Sequence, residues 1–507
     1  MAVAAIPALF IGYFFLYPVA RIVALGLSGL GEGIDPSSRL PRVAWFTLWQ
    51  AVVSTVLTIL AAAPLTWAVS SYRFPGRRLA TALVTVPFVL PTVVVGTAFL
   101  ALGWRDSVWA ILAAHVFYNV AVVVRTVSTL WARIDPSLHE AARTLGASPW
   151  QVFRRVTLPL LRPAIAAAAS IIFLFTFTSF GVVLILGGFR HATLEVEIYR
   201  QAVTFFDLPM AAVLAVLQMV GVSVALLAYS RYQERTSVTW TLETEADLPR
   251  PRGATRWAVA AAVLGTVGAL AVPLAALVGR SLGTGAYARL LRTDPIVGRP
   301  IDAAANSLRY AAVAMVVATV VGILAATVIA RRGSRLSRWF DVVLMLPLGT
   351  SAVTVGFGFI VALDWPVDIR ASAWLIPVAH ALVAVPFMVR TTVPTLRSIE
   401  PEVREAASVL GASPFRVWRE VDLPLVSRAA LVGAGFSFVI SLGEFGATSF
   451  IARPGTGTIP TVIYRLLSRP APANFGMAMA LAVVLAVITA GAVLWIDRAR
   501  VGEIGRF

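Results

Sequence analysis

The chain has no cysteine and no lysine, only 4 histidines, and few charges of either sign. The missing cysteine excludes disulfides, thiolate metal sites and cysteine nucleophiles, and says little about compartment. The missing lysine excludes a P-loop, whose lysine reaches the nucleotide phosphates, and a Schiff-base lysine. If ATP drives this protein, another chain binds it. Cations supplied only by arginine point to a GC-rich genome rather than to function.

Of 507 residues, 13% are charged and 59% hydrophobic, with a mean hydropathy of +0.84. Soluble domains carry about 25% charged residues. At half that density much of the chain must face lipid. Length alone suggests three or four soluble domains, but apolar runs long enough to cross a bilayer as helix override that prior. The formal charge is +17 and the isoelectric point about 11.3. Such a balance fits either nucleic-acid binding or cations flanking membrane spans on the cytoplasmic side. The arginines cluster in short connections between apolar runs, as at Arg77-Arg78 and Arg331-Arg332, which favours the membrane and no nucleic acid.

Apolar runs fall near 3–27, 43–71, 80–102, 108–130, 163–187 and 208–230, then near 257–280, 305–330, 337–362, 371–394, 428–450 and 474–496. This predicts an all-α polytopic membrane protein with about 12 transmembrane helices in two sets of six. The first run is long for a signal peptide and lacks a basic leader, so it reads as an uncleaved helix. The halves repeat. Ala114 opens AHVFYNVAVVVRT and Ala379 opens AHALVAVPFMVRT. The separation is 265 residues, and it holds at His115/His380, Arg125/Arg390, Pro136/Pro401, Glu140/Glu405 and the IYR triplets at Ile198 and Ile463. An even number of spans per half makes this a parallel repeat. The expected organisation is a first lobe at 1–231, a linker at 232–256 and a second lobe at 257–507.

Arginine placement gives orientation. Arg73, Arg77 and Arg78 follow span two; Arg133, Arg143, Arg154, Arg155 and Arg162 follow span four. The linker and the tail, with Arg498, Arg500 and Arg506, are also basic. Both termini and the linker are therefore placed in the cytoplasm.

Two cytoplasmic loops are far longer than their spans require. One reads DPSLHEAARTLGASPWQVFRRVTLPLLRPAI and the other EPEVREAASVLGASPFRVWREVDLPLVSRAA. Asp135-Pro136 and Glu400-Pro401 look like helix starts, an acid at the cap and proline at the first position. Gly146 and Gly411 can adopt the left-handed conformation that ends a helix. Ser148-Pro149 and Ser413-Pro414 restart a second helix, with apolar Trp150, Val152, Phe153 and Val156 at helical spacing, and Leu158-Pro159 and Leu423-Pro424 begin the next span. A single such loop could be only an interfacial amphipathic helix; two at equivalent repeat positions argue for more.

At these residues the sequence resembles the permeases of binding-protein-dependent ABC importers. Their cytoplasmic motif is EAA, three residues, Gly, nine residues, an aliphatic, one residue and Leu-Pro. It is matched by Glu140-Ala141-Ala142, Gly146, Val156 and Leu158-Pro159, and again by Glu405-Ala406-Ala407, Gly411, Val421 and Leu423-Pro424. The only departure is valine where isoleucine is common. The resemblance spans nearly the whole chain and is closest to fused two-lobed permeases for thiamine or ferric iron, with a slight lean to thiamine. It implies a type I ABC importer permease fold. The EAA helices would couple to two ATPase subunits, and a binding protein would deliver solute from outside. ATP and magnesium would sit on the ATPase, so this chain would bind no cofactor and catalyse no covalent step.

Spans five and eleven should line the path. Candidates there are Thr178, Ser179 and Phe180, with Thr176 nearby, and Ser441, Glu444 and Phe445, with Thr448 nearby. Glu444 either gives a negative field to a path for a cation or caps a neighbouring helix. Buried carboxylates are commonly paired, which favours the cap. His115 and His380 would need further ligands to hold a metal, and none is evident, so packing is the expected role and no metal site is assigned. Asn119 and Tyr118 are expected to bridge helices. Pro87, Pro91 and Pro347 should kink spans three and nine. Two competing readings are weaker. An ion-driven secondary transporter of two six-helix halves would need no EAA loops and would carry more embedded charge. An intramembrane enzyme would need a cluster of acids, histidines or nucleophiles at one depth.

Overall fold

In hydrocarbon no water can satisfy a backbone N–H or C=O, so apolar segments close their hydrogen bonds internally as helix. A computed structural model describes residues 2–31, 39–236, 248–295, 297–330, 335–469 and 471–501, and among them the regular structure is helical. Arg331, Arg332, Arg506 and residues 237–247 of the linker lie outside the described residues.

Each half contributes ten principal helices in the same order. In the first half these are α1 (Ala4–Gly29), α2 (Leu40–Ser71), α3 (Arg77–Val89), α4 (Thr92–Ala101) and α5 (Val108–Trp131). They continue with α6 (Pro136–Thr144), α7 (Pro149–Phe177), α8 (Gly181–Leu186), α9 (Leu194–Tyr199) and α10 (Leu208–Gln233). The second half repeats them as α11 (Ala254–Leu282), α12 (Asp302–Ala330), α13 (Arg335–Met345), α14 (Ala352–Ala362) and α15 (Leu375–Ser398). The series ends with α16 (Pro401–Val409), α17 (Pro414–Gly443), α18 (Gly446–Ile451), α19 (Ile459–Leu467) and α20 (Pro472–Ile496).

Ten of these are long and apolar enough to cross a membrane, or 11 when α3 and α4 are taken as one broken span. Of the about 12 expected spans, three and nine are broken, and proline is the cause. Proline pushes the residue before it out of the helical region. Leu90, ahead of Pro91, is extended at φ −67° and ψ 141°, and α3 and α4 meet at a bend of 100°. Around Pro347 the chain passes through a 3₁₀ turn, Leu346–Gly349, before Ser351 caps α14 by accepting from the Thr354 N–H at 3.0 Å. Pro87 stays inside α3 without breaking it.

Two compact units result, and they are not the two sequence halves 1–231 and 257–507. One comprises Met1–Asp35, Glu197–Met219 and Ser281–Phe507; the other comprises Pro36–Val196 and Val220–Arg280. The first helix of each half thus joins the unit built mainly from the other half. In the first unit α12, α15 and α17 pack mutually, and α1 lies on α12 and α14. A Cβ at Gly358 of α14 would come within 2.9 Å of Pro18 of α1, so glycine permits that approach. In the second unit α2, α5 and α7 form the matching three-helix core.

Candidate functional site

Two elbows stand out, one between α5 and α7, the other between α15 and α17. The first begins where Asp135 accepts from the Ser137 N–H at 2.8 Å, which holds its carboxyl below the usual range. Glu400 starts the second without a side-chain cap bond, so the expectation of an acid cap fails there: the longer side chain does not fold back. Both EAA helices end in the same way. The Ala147 N–H reaches the Ala142 carbonyl at 3.1 Å and the Gly146 N–H reaches Arg143 at 2.9 Å. The Ala412–Ala407 and Gly411–Ser408 bonds repeat this at 3.1 and 3.0 Å. This paired closure needs a left-handed residue at the glycine, and Gly146 and Gly411 have φ of 81° and 83°. The spacing from EAA to Gly is therefore one of helix termination.

The restart helix and the following span, expected as separate, are one helix with a π turn at Phe153–Thr157 in α7 and at Trp418–Asp422 in α17. The Leu-Pro pair explains the turn. Pro159 and Pro424 have no N–H, and the leucine before each donates five residues back, to the carbonyls of Phe153 and Trp418. Such turns recur at functional places. Ser148 and Gln151 form a reciprocal capping box; Ser413 accepts from Arg416 N–H, and arginine cannot reciprocate.

A brace closes each elbow. His139 Nε2 lies 3.0 Å from Thr157 Oγ1. At the same repeat positions Arg404 Nε donates to Asp422 Oδ1 at 2.7 Å, and its Nη2 donates to the Leu396 carbonyl at 3.1 Å. The braces tie α6 to α7 and α16 to α17. Outward the elbows show apolar surface: Leu145 is 88% exposed, Trp150 66%, Leu410 87% and Phe415 66%. Glu140, Ala141, Glu405 and Ala406 are exposed, while Ala142, Ala407, Leu158, Pro159 and Leu423 are half-buried and Pro424 exposed.

The proposed path residues lie in buried polar clusters. His115 of α5 bonds Ser54 through Nδ1 at 3.0 Å and Ser179 through Nε2 at 2.8 Å. His380 of α15 bonds Ser441 through Nδ1 at 2.6 Å, while Nε2 faces Thr448 at 2.7 Å and Glu444 at 3.1 Å. Ser179 and Glu444 occupy one repeat position, so the same ring nitrogen meets a hydroxyl in one half and a carboxylate in the other. Glu444 also accepts from the Ala447 and Thr448 N–H groups and so caps α18. Phe180 and Phe445 are buried, and Thr178 bonds back to Leu174 at 2.8 Å. Among the described residues no three His, Cys, Asp or Glu side chains gather as a metal site. Asn119 Nδ2 donates to the His115 carbonyl at 2.9 Å within α5, rather than bridging helices through that group; the Tyr118 ring packs 5.4 Å from Phe88. Sequence reading missed the braces, because His/Thr and Arg/Asp share no residue type across the repeat.

The family described as binding-protein-dependent transport system inner membrane component matches at residues 54–238 and 318–499. The chain belongs to that family. Both matched segments carry one elbow, so this permease holds two copies of the family's domain in a single chain. Among its relatives is the thiamine transport system permease protein ThiP of Brucella abortus, 30% identical over 509 residues, which cover 94% of this chain and 92% of that one. The protein of the same name from Escherichia coli is 26% identical, with 84% of each chain covered. The putative 2-aminoethylphosphonate transport system permease protein PhnV of Salmonella typhimurium is 32% identical over 193 residues, 38% of this chain and 72% of its own. Family and apolar helices together make this a multi-pass inner-membrane permease and not an enzyme.

Proposed function

We propose that this permease forms the path of an ATP-driven thiamine importer. The observation that carries the solute is the run of thiamine permeases matching 84–94% of this chain at 26–30% identity. The elbows support the coupling role. Each offers a short, glycine-terminated, braced helix with exposed apolar side chains, suited to a groove on one of two ATPase subunits. Seated there, an elbow continuous with α7 or α17 turns closure of the ATPase pair into rigid-body motion of that span. Nucleotide and magnesium belong to the ATPase subunits, and an extracytoplasmic binding protein delivers the solute. Both termini, the linker and the elbows face the cytoplasm, as the arginine placement requires.

Proteoliposomes holding the permease, its ATPase subunits and its binding protein test this. Labelled thiamine should accumulate only with ATP, and excess unlabelled thiamine should compete while ferric iron should not. Accumulation of iron instead, or ATP-independent uptake, overturns the reading.

A further inference from the structure

Tyr199 of α9 and Tyr464 of α19 are one position of the repeat, 265 residues apart in the IYR triplets. Within the first unit their rings meet edge to face, with centroids 6.2 Å apart at 80°. An operation that exchanges the two halves carries this pair onto itself. A contact of that kind lies on the axis of the repeat; a contact away from the axis would have to occur twice. In a parallel repeat the axis runs along the membrane normal, which is also the line a solute follows through a two-lobed permease. A solute moving along that axis would have to pass this ring pair.

Their height follows from the spans beneath them. From each elbow the regular helix runs Leu158–Phe177 or Leu423–Gly443, 20 and 21 residues. At 1.5 Å per residue this is about 30 Å, the thickness of the hydrocarbon core. Helices α9 and α19 come after that climb, so the tyrosines lie at the membrane side remote from the elbows.

The rings are half-buried, and aromatic side chains back them. Phe450 stands 5.4 Å from Tyr199 and Phe445 stands 5.8 Å from Tyr464, centroid to centroid. Phe450 rests on Phe357 at 6.4 Å. Phe445 follows Glu444, whose carboxylate is pinned by His380 of α15. Ile198 and Ile463, fully buried, set the rotation of α9 and α19. Just after Tyr199 the chain enters a π turn, Arg200–Phe205, whereas α19 continues regularly to Leu467. The backbone after the contact thus differs between the two sides, a wider turn following Tyr199 and a regular helix following Tyr464.

The geometry points to Tyr199 and Tyr464 as the outer gate: their contact closes the path to the outside, and opening separates the two rings. This rests on the importer reading but not on the identity of the solute.

The gate is tested by leakage without ATP or binding protein. Liposomes containing the permease and its ATPase subunits are loaded with labelled tetramethylammonium. Y199A/Y464A should release it at least tenfold faster than wild type, and Y199F/Y464F, which keeps both rings, should stay tight. A folded double-alanine variant, matching the wild type in melting temperature, that is as tight as wild type overturns the assignment. Should that variant not fold, Y199C/Y464C serves, because the chain has no other cysteine. Linking the two thiols with a short bis-methanethiosulfonate should lower ATP-driven uptake more than tenfold, reversed by dithiothreitol. Linked protein transporting at the unlinked rate sinks the gate. Wild-type liposomes without ATP-driven uptake would instead sink the importer reading, whatever the leak.

Discussion

Glu444 is held by four groups: the His380 ring, the Ala447 and Thr448 N–H groups and the Thr448 hydroxyl. Glu444→Ala leaves those donors buried without an acceptor, at about 1–3 kcal/mol for each group left unsatisfied. Its melting temperature in detergent should fall well below that of Ser179→Ala, which removes one hydroxyl at the equivalent position. Equal melting of the two variants would mean that the carboxylate is not the keystone of its cluster. Gly146 and Gly411 act through backbone alone. A Cβ at either meets no atom within 4 Å, yet φ is positive. Alanine there should cost about 1–2 kcal/mol in helix termination, and each variant should express normally while coupling ATP to uptake less well. Both glycines were legible in the sequence because only glycine takes that conformation readily. The pairing of Glu444 with His380 was not, since 64 residues separate them and nothing local marks the contact.

At the scale of elements, the elbows are equivalent in backbone and different in chemistry. The ion pair of the second makes it the sturdier, so Arg404→Ala should reduce ATP-driven uptake more than His139→Ala. The first elbow should depend on pH. Burial, with Arg143 second, holds His139 below its ordinary range. A histidine depressed in the folded state takes up protons more readily when its surroundings open. Its contribution is therefore complete above about 6.5, the ordinary value, and declines as pH falls below that. Uptake measured against internal pH should drop on the acid side in the wild type and flatten in His139→Gln. The drop surviving in that variant would place the pH sensor elsewhere. The limit of legibility here is physical. Paired loops, caps and glycines are local signals, read from residues a few apart, whereas each brace joins positions 18 apart whose side chains share only the ability to hydrogen-bond. Spans three and nine show the converse: the prolines are local signals and mark the breaks, although hydropathy averages over a proline and the backbone cannot.

The whole molecule is two compact units, each assembled from non-adjacent stretches. The sequence shows the repeat, through a constant register of 265, but not this exchange, because a parallel repeat is equally consistent with self-contained lobes. A chain split after Trp240 should test it. Each fragment made alone should be degraded, since α1 and α12 then belong to different molecules, and the two made together should copurify. Stable, separately folded fragments would show that the exchanged helices contribute little. The exchange also sets a waiting time during synthesis. About 270 residues separate the end of α1 from the start of α12, the helix it packs on. At 5–20 residues per second that is on the order of 15–55 s. For most of that interval, until α10 brings Ala212 and Val216 against Gly26, the opening segment's own greasiness, rather than its eventual neighbours, must keep it anchored, and a ribosome that stalls before α12 leaves part of its surface orphaned for the membrane proteases to find.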